Sequence, residues 1–452
     1  MTATSVSLGL RQRSDTARTI VDTAAPGLLI AYMLLFFGPF SLLYQPPGSV
    51  SSVVFPAAAL VILVLTPTDR LARIPISWAL LALLTWLTLS RFWSETPFAT
   101  EFQIRSQLPP LLMIVLVVGT MRPAVVARTL VITSVSLALW TLVISLILPA
   151  AREALLEVSA SGTVESQPGL RGTFGHKNQM GIFMVFTLCL VLAFVRTKAR
   201  PYLVILCVGL VIATQSATAG SGLFAVMFIW FWIAAIGQQR TARERTLLGL
   251  ISITAAILAI LFVVGLLPTI LGLYQKDLTF SGRTLIWGEA LEAVVDRPLH
   301  GYGFGGLWYD ARSPVTADLW ARIGFAASHA HNGPLELTLQ AGLIGLGLYL
   351  SLIGSVVAMS VRSFGRPNHS RYGEWGILTV SAIFLMSVSE PLFTGPQTGL
   401  VAIIWTVLAT LLHQARRQRF AAARASDDNG AEPDDPPRQP SPDGDVAGRR
   451  ST

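Results

Sequence analysis

The stretch Ser328-His329-Ala330-His331-Asn332-Gly333-Pro334-Leu335-Glu336 closes a long polar interval and opens a long apolar one. Asn332 is a good helix N-cap, and Pro334 suits the first turn of the helix that follows. The apolar run over 334–361 is long enough to cross a bilayer, which takes roughly 17–25 residues. Working backwards, the polar interval reaches Lys276, far beyond the ordinary length of a structureless connection. It contains Ser281-Gly282-Arg283-Thr284 and then an amphipathic helix signal at Trp287, Leu291, Val294 and Val295. Asp296-Arg297-Pro298 ends that helix, because proline lacks an N–H and disfavours helix in the residue before it. A glycine-rich turn follows, Gly301-Tyr302-Gly303-Phe304-Gly305-Gly306.

Working outward, further apolar runs fall at 25–44, 50–66, 75–93, 124–149, 178–195, 201–217, 219–236, 246–266, 375–391 and 397–415, with a weaker one at 108–121. The expected fold is an all-α integral membrane protein of about twelve transmembrane helices, with one large extracytoplasmic loop over 267–333 between helices 9 and 10. Composition agrees: 52% of residues are hydrophobic and only 13% charged, where soluble domains carry about a quarter. The net charge of +8 does not point to nucleic acid, because the basic residues sit in short clusters between apolar runs, as topology signals do. With the N-terminus inside, the inner segments hold Arg11, Arg13 and Arg18; Arg70 and Arg73; Arg122 and Arg128; Arg196, Lys198 and Arg200; Arg240, Arg243 and Arg245; Arg362, Arg366 and Arg371; and the arginines of the tail. The outer loops are then 45–49, 94–107, 150–177, a tight one near 218, 267–333 and 392–396.

Residues 1–24 read as a cytoplasmic tail without a cleavable signal, 25–415 as the polytopic membrane unit, and 416–452 as a disordered cytoplasmic tail. Cys189 and Cys207 lie in apolar runs and read as packing residues rather than a disulfide or metal pair. The small residues from Gln215 to Gly222 read as a close approach between helices.

Two outer loops share a plan. One ends in Leu170-Arg171-Gly172-Thr173-Phe174-Gly175-His176-Lys177-Asn178, the other in His329 to Pro334, and each enters an apolar helix. Free N–H groups and the dipole at such helix starts attract anions. Arg283 adds a donor suited to phosphate, and Arg171 and Lys177 add positive charge. Each feature alone also reads as ordinary capping or as an arginine snorkelling to the interface. Their concentration on one side of the membrane favours a site. Gly301-x-Gly303-x-x-Gly306 fits a dinucleotide fingerprint but lacks the strand and βαβ context. His329-x-His331 is half a metal site without a nearby ligand set, so no metal is expected. Glu390, before Pro391 at a membrane edge, is either a site residue or exposed.

On these residues the chain resembles the O-antigen ligase and polysaccharide polymerase family of bacterial membrane enzymes. His331-Asn332, followed after nine residues by Gly342, resembles the family's histidine-plus-amide motif after the large loop. Arg283-x-x-x-Trp287 with Pro298-Leu299-x-Gly301-x-Gly303 is the second similarity. Gly172-Thr173-Phe174-Gly175-His176-Lys177-Asn178-x-x-Gly181 is similar to exopolysaccharide polymerase members. The motifs span about 165–345, each loose alone and more specific in their order. The resemblance implies a glycosyltransferase of the bacterial cytoplasmic membrane, with both termini cytoplasmic and the active site extracytoplasmic. It implies metal-independent, inverting transfer of a glycan from a polyprenyl diphosphate carrier to a sugar hydroxyl, with no cofactor.

In that reading His331 is the catalytic base. Arg283, Arg171, Lys177, His176, Asn178 and Asn332 bind substrate. Expected partners are the lipid-linked glycan donor, a glycan or lipid acceptor, membrane lipids and an assembly complex, with no nucleic acid. The chain departs from the family at Ala217, where relatives often carry a basic residue. A flippase for lipid-linked sugars and a non-catalytic scaffold are the alternative readings; a flippase would favour charged residues in spans, broken helices and repeats.

Overall fold

The computed structural model describes residues 19–34, 53–71, 74, 78–149, 155–158, 164–167, 169–238, 283–364, 370–394 and 408–412, with isolated residues between 241 and 254. The run at 246–266, the loop at 45–49, most of 397–415, Ser281 and Gly282, and the disordered-tail assignment lie outside them. The helices are α1 (Thr19–Leu34), α2 (Phe55–Leu65), α3 (Trp78–Leu89), α4 (Pro97–Thr120), α5 (Pro123–Ile147), α6 (Lys177–Phe194), α7 (Arg200–Ala213) and α8 (Ala217–Gln238). Then come α9 (Arg283–Asp296), α10 (Pro314–Ile323), α11 (Gly333–Phe364) and α12 (Ser370–Ser387). Among the described residues five helices are long and apolar enough to cross a membrane: α4, α5, α6, α8 and α11.

Two departures from the expected layout have local causes. Residues 97–107 are not a loop but the first turns of α4. Pro97 starts the helix, and Glu101 pairs with Arg105 four residues on and with Arg91 at 3.2 Å. The 150–177 loop also carries strand: β1 (Leu155–Val158) pairs antiparallel with β2 (Val164–Gln167), Leu155 opposite Gln167.

The centre of the molecule is α6, whose residues from Met180 to Ala193 are all buried. It packs against α5, α7, α8 and α12, while α11 packs against α3 and α12. Small residues set the closest approaches, as the Gln215–Gly222 run predicts: a Cβ on Gly181 would strike Ala219, and one on Gly222 would strike Met386 at 2.6 Å. Cys189 and Cys207 are free and buried. The outer helices expose Leu60, Val64, Ile132, Ile205, Ile212, Phe224, Phe231, Leu350 and Phe384. Water would penalise so many large apolar side chains facing outward, whereas hydrocarbon does not.

The polar interval folds into a unit with its own core. Ile286, Ala290, Ala293, Tyr302, Leu307, Trp308, Leu319, Ile323, Ala327, Ala330 and Leu339 form it. The buried face of α9 is therefore Ile286, Ala290 and Ala293, flanked by Trp287 and Val294, while Leu291 and Val295 face out at 57% and 76% exposure. The alanines win because they admit close neighbours: the Tyr302 hydroxyl donates to the Ala293 carbonyl at 2.9 Å.

The unit is fastened to α11 by backbone. Gly342 breaks that helix with φ 69° and ψ −175°. Across the break, the Leu339 and Gln340 carbonyls accept from Tyr302 N (2.7 Å) and Gly303 N (3.0 Å). Leu343 N and Ile344 N donate back to Pro298 O (2.8 Å) and Leu299 O (3.3 Å), and the Trp86 indole donates to Ala341 O at 2.8 Å. Every backbone group freed by the break that these bonds name is thus paired, as an apolar surround requires. Glu95 adds a side-chain anchor, pairing with Arg297 at 3.0 Å and accepting from the Ser313 hydroxyl.

The expected outer loops and the helix ends beside them (94–96, 169–178, 214–218, 283–332 and 388–394) are hydrogen-bonded into one end of the helices, and Arg196, just past α6, pairs with Glu374 of α12 at 3.1 Å elsewhere. Cysteines introduced at 165 and 315 are expected to label from outside intact cells, and those at 199, 242 and 367 only after permeabilisation. Labelling at 199 in intact cells reverses the orientation and removes the site below from the outer face.

Candidate active site

At the end where the polar unit docks, the starts of α6, α8, α9 and α11 come together. The Asn178 amide oxygen accepts from the Ser216 hydroxyl (2.7 Å), joining α6 to α8. Thr218 and Ser389 share a hydroxyl contact at 2.8 Å, joining α8 to the turn after α12. Asn332 donates to Val388 O in that turn (3.2 Å), while its own oxygen caps α11 by accepting from Leu335 N (3.0 Å). Ser216 also accepts from Ala219 N (3.2 Å), so it starts α8, with the exposed Ala217 beside it.

The two loops do share a plan, and their hydrogen bonds show which residues correspond. His176 Nδ1 accepts from Asn178 N at 3.0 Å, and His329 Nδ1 accepts from His331 N at 3.1 Å. His329, not His331, is therefore the counterpart of His176. Both act as side-chain acceptors for the N–H two residues on, and in α6 the cap is His176 rather than Asn178.

That bond leaves His331 in the left-handed region, φ 50°. A non-glycine residue held there stores strain and needs over-determined surroundings. Ala330 supplies them: its N–H donates to Glu336 (2.6 Å) and its carbonyl accepts from the Trp287 indole (2.9 Å). Glu336 is buried in the first turn of α11 and also accepts from the Trp308 indole (3.1 Å) and from Gln340. Sequence reading passed over Glu336; an acid next to an apolar run was the available signal.

The histidine rings lie 3.9 Å apart but in different environments. His329 is buried, and desolvation, helped by His331, Arg283 and His176 and opposed by Glu390, pushes its pKa down to about 3. It stays neutral and is a poor base near pH 7. His331 keeps 32% of its side-chain surface, and its Nδ1 faces Glu390 Oε2 at 3.8 Å, longer than a hydrogen bond. Glu390 sits in the turn beyond α12. Burial opposes its charge, but pairing with His331 and the proximity of His329 and Arg283 hold its pKa below the usual carboxylate value.

Of the sequence-derived candidates, His331, Arg283, His176, Asn178 and Asn332 belong to this cluster. Lys177 is the first residue of α6, with its Cδ 3.1 Å from where a Gly169 Cβ would lie, alongside the Thr214 turn. Arg171 lies in the turn preceding α6, its carbonyl accepting from Phe174 N at 3.0 Å. Glu390, left open in the sequence, is in the cluster, and the bridging hydroxyls of Ser216, Thr218 and Ser389 were not foreseen. Among the described residues no group of three or more His, Cys, Asp or Glu side chains is placed to hold a metal.

The chain is similar to the exopolysaccharide production protein ExoQ of Rhizobium meliloti (strain 1021), 30% identical over 190 residues, 39% of this chain and 43% of that protein. It is similar also to an O-antigen ligase of Pseudomonas aeruginosa (strain PAO1), 27% identical over 229 residues, 49% of each. The chain thus spans half or less of the length of these curated relatives. Residues 201–350 match the O-antigen ligase family model, a stretch that takes in Arg283 and His331 but neither His176 nor Glu390. Residues 201–350 of this membrane protein are therefore similar to the O-antigen ligase family, and the rest of the chain lies outside that match.

Proposed function

We propose that the protein is a glycosyltransferase that moves a glycan from a polyprenyl diphosphate carrier to a sugar hydroxyl at the outer face of the bacterial cytoplasmic membrane. The observation that carries this reading is the convergence of four helix N-termini on one polar cluster, with Arg283 on one of them and His331 before another. Helix N-termini and a guanidinium favour a diphosphate. The apolar outer faces of the helices suit its lipid tail, and His331 suits an attacking hydroxyl.

In this reading the acceptor oxygen attacks the anomeric carbon from the face opposite the carrier, inverting it, and its proton goes to His331. The carbon–oxygen bond to the diphosphate breaks, and its electron pair leaves with the phosphate. Arg283, in place of a metal, stabilises that growing charge. Asn178 and Asn332 position the loops, and Lys177, Arg171 and His176 add donors around the anion where Ala217 lacks one.

The flippase reading gains one feature, the break in α11. Four of the groups freed there are taken by residues 298–303 of the polar unit and a fifth by the Trp86 indole, so the break fastens that unit to α11.

Purified protein given a polyprenyl-diphosphate-linked oligosaccharide is expected to transfer it in excess chelator; a ladder of products marks a polymerase and single addition a ligase. Arg283→Lys replaces a bidentate donor with a point charge. Turnover at saturating donor is expected to fall on the order of 10²-fold, the lower end for loss of one charge-stabilising donor. Near-normal turnover makes Arg283 an interfacial arginine and moves the anion grip to Arg171 and Lys177. Absence of transfer without metal refutes the metal-independent mechanism.

A further inference from the structure

Glu390 is nearly sealed from solvent, at 5% exposure, in the turn that follows α12. Neither its Oε2 nor His331 Nδ1 has a hydrogen-bond partner, although each is buried as an atom. Such orphaned atoms are uncommon and call for a reason. Here the two orphans face each other at 3.8 Å. Catalytic hydrogen bonds are often long in the free enzyme and tighten when substrate binds. The other charged or titratable groups facing Glu390 are His329, from the same loop, and Arg283, from α9.

The turn itself is well held. Leu392 N donates to Glu390 O (2.9 Å), Ser389 meets Thr218, and Asn332 reaches Val388 O. Because Asn332 follows His331 directly, the segment carrying the histidine is tied to the turn carrying the acid.

We infer that Glu390 is the positioning residue of His331: its carboxylate accepts from Nδ1–H and leaves Nε2 as the nitrogen that takes the acceptor's proton. The inference rests on the glycosyltransferase reading for its catalytic meaning. The proton from the acceptor hydroxyl goes to Nε2, Nδ1 keeps its own, and Glu390 stays ionised beside the imidazolium. A carboxylate so placed fixes the tautomer and orientation of a general base without taking the proton. His329 cannot fill this role, since its Nδ1 is already an acceptor for His331 N.

The test reads the tautomer directly. Protein labelled with isotopic histidine in detergent micelles is examined by NMR at a pH where the ring is neutral, and the His331 signal is identified by its loss in His331→Asn. The wild type is expected to carry the ring proton on Nδ1, and Glu390→Gln, whose amide can donate to that nitrogen, to shift it to Nε2. Polysaccharide production in the native host lacking its chromosomal copy is expected to fall about tenfold or more with Glu390→Gln, within the range for general-base catalysis. The amount of folded protein should be unchanged, as should binding of a short-chain polyprenyl diphosphate.

A proton on Nε2 in the wild type overturns the inference without any variant. So does a Glu390→Gln protein that folds with its tautomer unmoved. Full production from His331→Asn with the Nδ1 tautomer confirmed instead overturns the glycosyltransferase base and leaves the pair in place, so the two failures are distinguishable.

Discussion

Replacing His331 with asparagine is expected to reduce glycan transfer to background, a loss on the order of 10²–10⁴-fold, without lowering the folded protein recovered from membranes. Asparagine suits the test better than alanine because His331 sits at φ 50°. Asparagine tolerates the left-handed region with little penalty, so the turn into α11 survives. It offers no base. The side chain is also part exposed, so truncation leaves no sealed cavity of the costly kind. His329→Asn makes the control. Its side-chain oxygen can accept from His331 N in the manner of an Asx turn, replacing the bond His329 makes now. Because His329 is held neutral far below pH 7, its loss should leave transfer within about tenfold of wild type. Equal inactivity of both, with activity also lost to chelator, would establish a metal site built on the histidine pair. The two residues are adjacent in space and alike in sequence; burial of His329 and the bond its Nδ1 accepts from His331 N separate their chemistry.

That separation shows where sequence reading stops. The apolar runs, the Asn332 cap, the proline after it and the packing role of Cys189 and Cys207 were legible because each depends on local pattern alone. The pairing of His176 with His329 was not, since adjacent histidines two apart give no clue to which ring turns back on the chain. The buried face of α9 was misread for a related reason. Large side chains at Leu291 and Val295 look like a core stripe, yet the alanines at 290 and 293 admit the Tyr302 ring and hydroxyl. Glu390 lies far from His331 in sequence and meets it only because α12 returns to the same end. Glu336 was visible as an acid at the edge of an apolar run, but its partners Ala330, Trp308 and Gln340 come from the folded unit. The helix break was hidden too: a glycine among apolar residues reads as helix until its φ is known.

Gly342→Ala is expected to remove nearly all folded protein, although alanine in a helix is ordinarily favourable. At φ 69° and ψ −175° the backbone occupies a region nearly closed to residues with a Cβ. A Cβ built there falls inside the Leu299 carbonyl and against His300 N. Neither obstacle is a flexible side chain, so relief requires the 298–303 segment to leave α11. Leaving breaks the four backbone bonds that bridge the two segments. Each buried polar group left unpaired costs about 1–3 kcal/mol. Strain and lost bonds together exceed about 4–5 kcal/mol, the level at which single substitutions become exceptional. The consequence reaches the site, because the same segment leads through the polar unit to Trp287 and Trp308, which hold Ala330 and Glu336 beneath His331. Gly347→Ala is the matched comparison: it lies in the same helix, nothing stands within 4 Å of its added Cβ, and it should be neutral or stabilise by up to about 1 kcal/mol. The measurement is the yield of monodisperse protein after detergent extraction, with thermal unfolding of whatever is recovered. Similar yields for the two variants would mean that α11 runs straight through Gly342, and that the polar unit is fastened to the membrane helices by side chains alone.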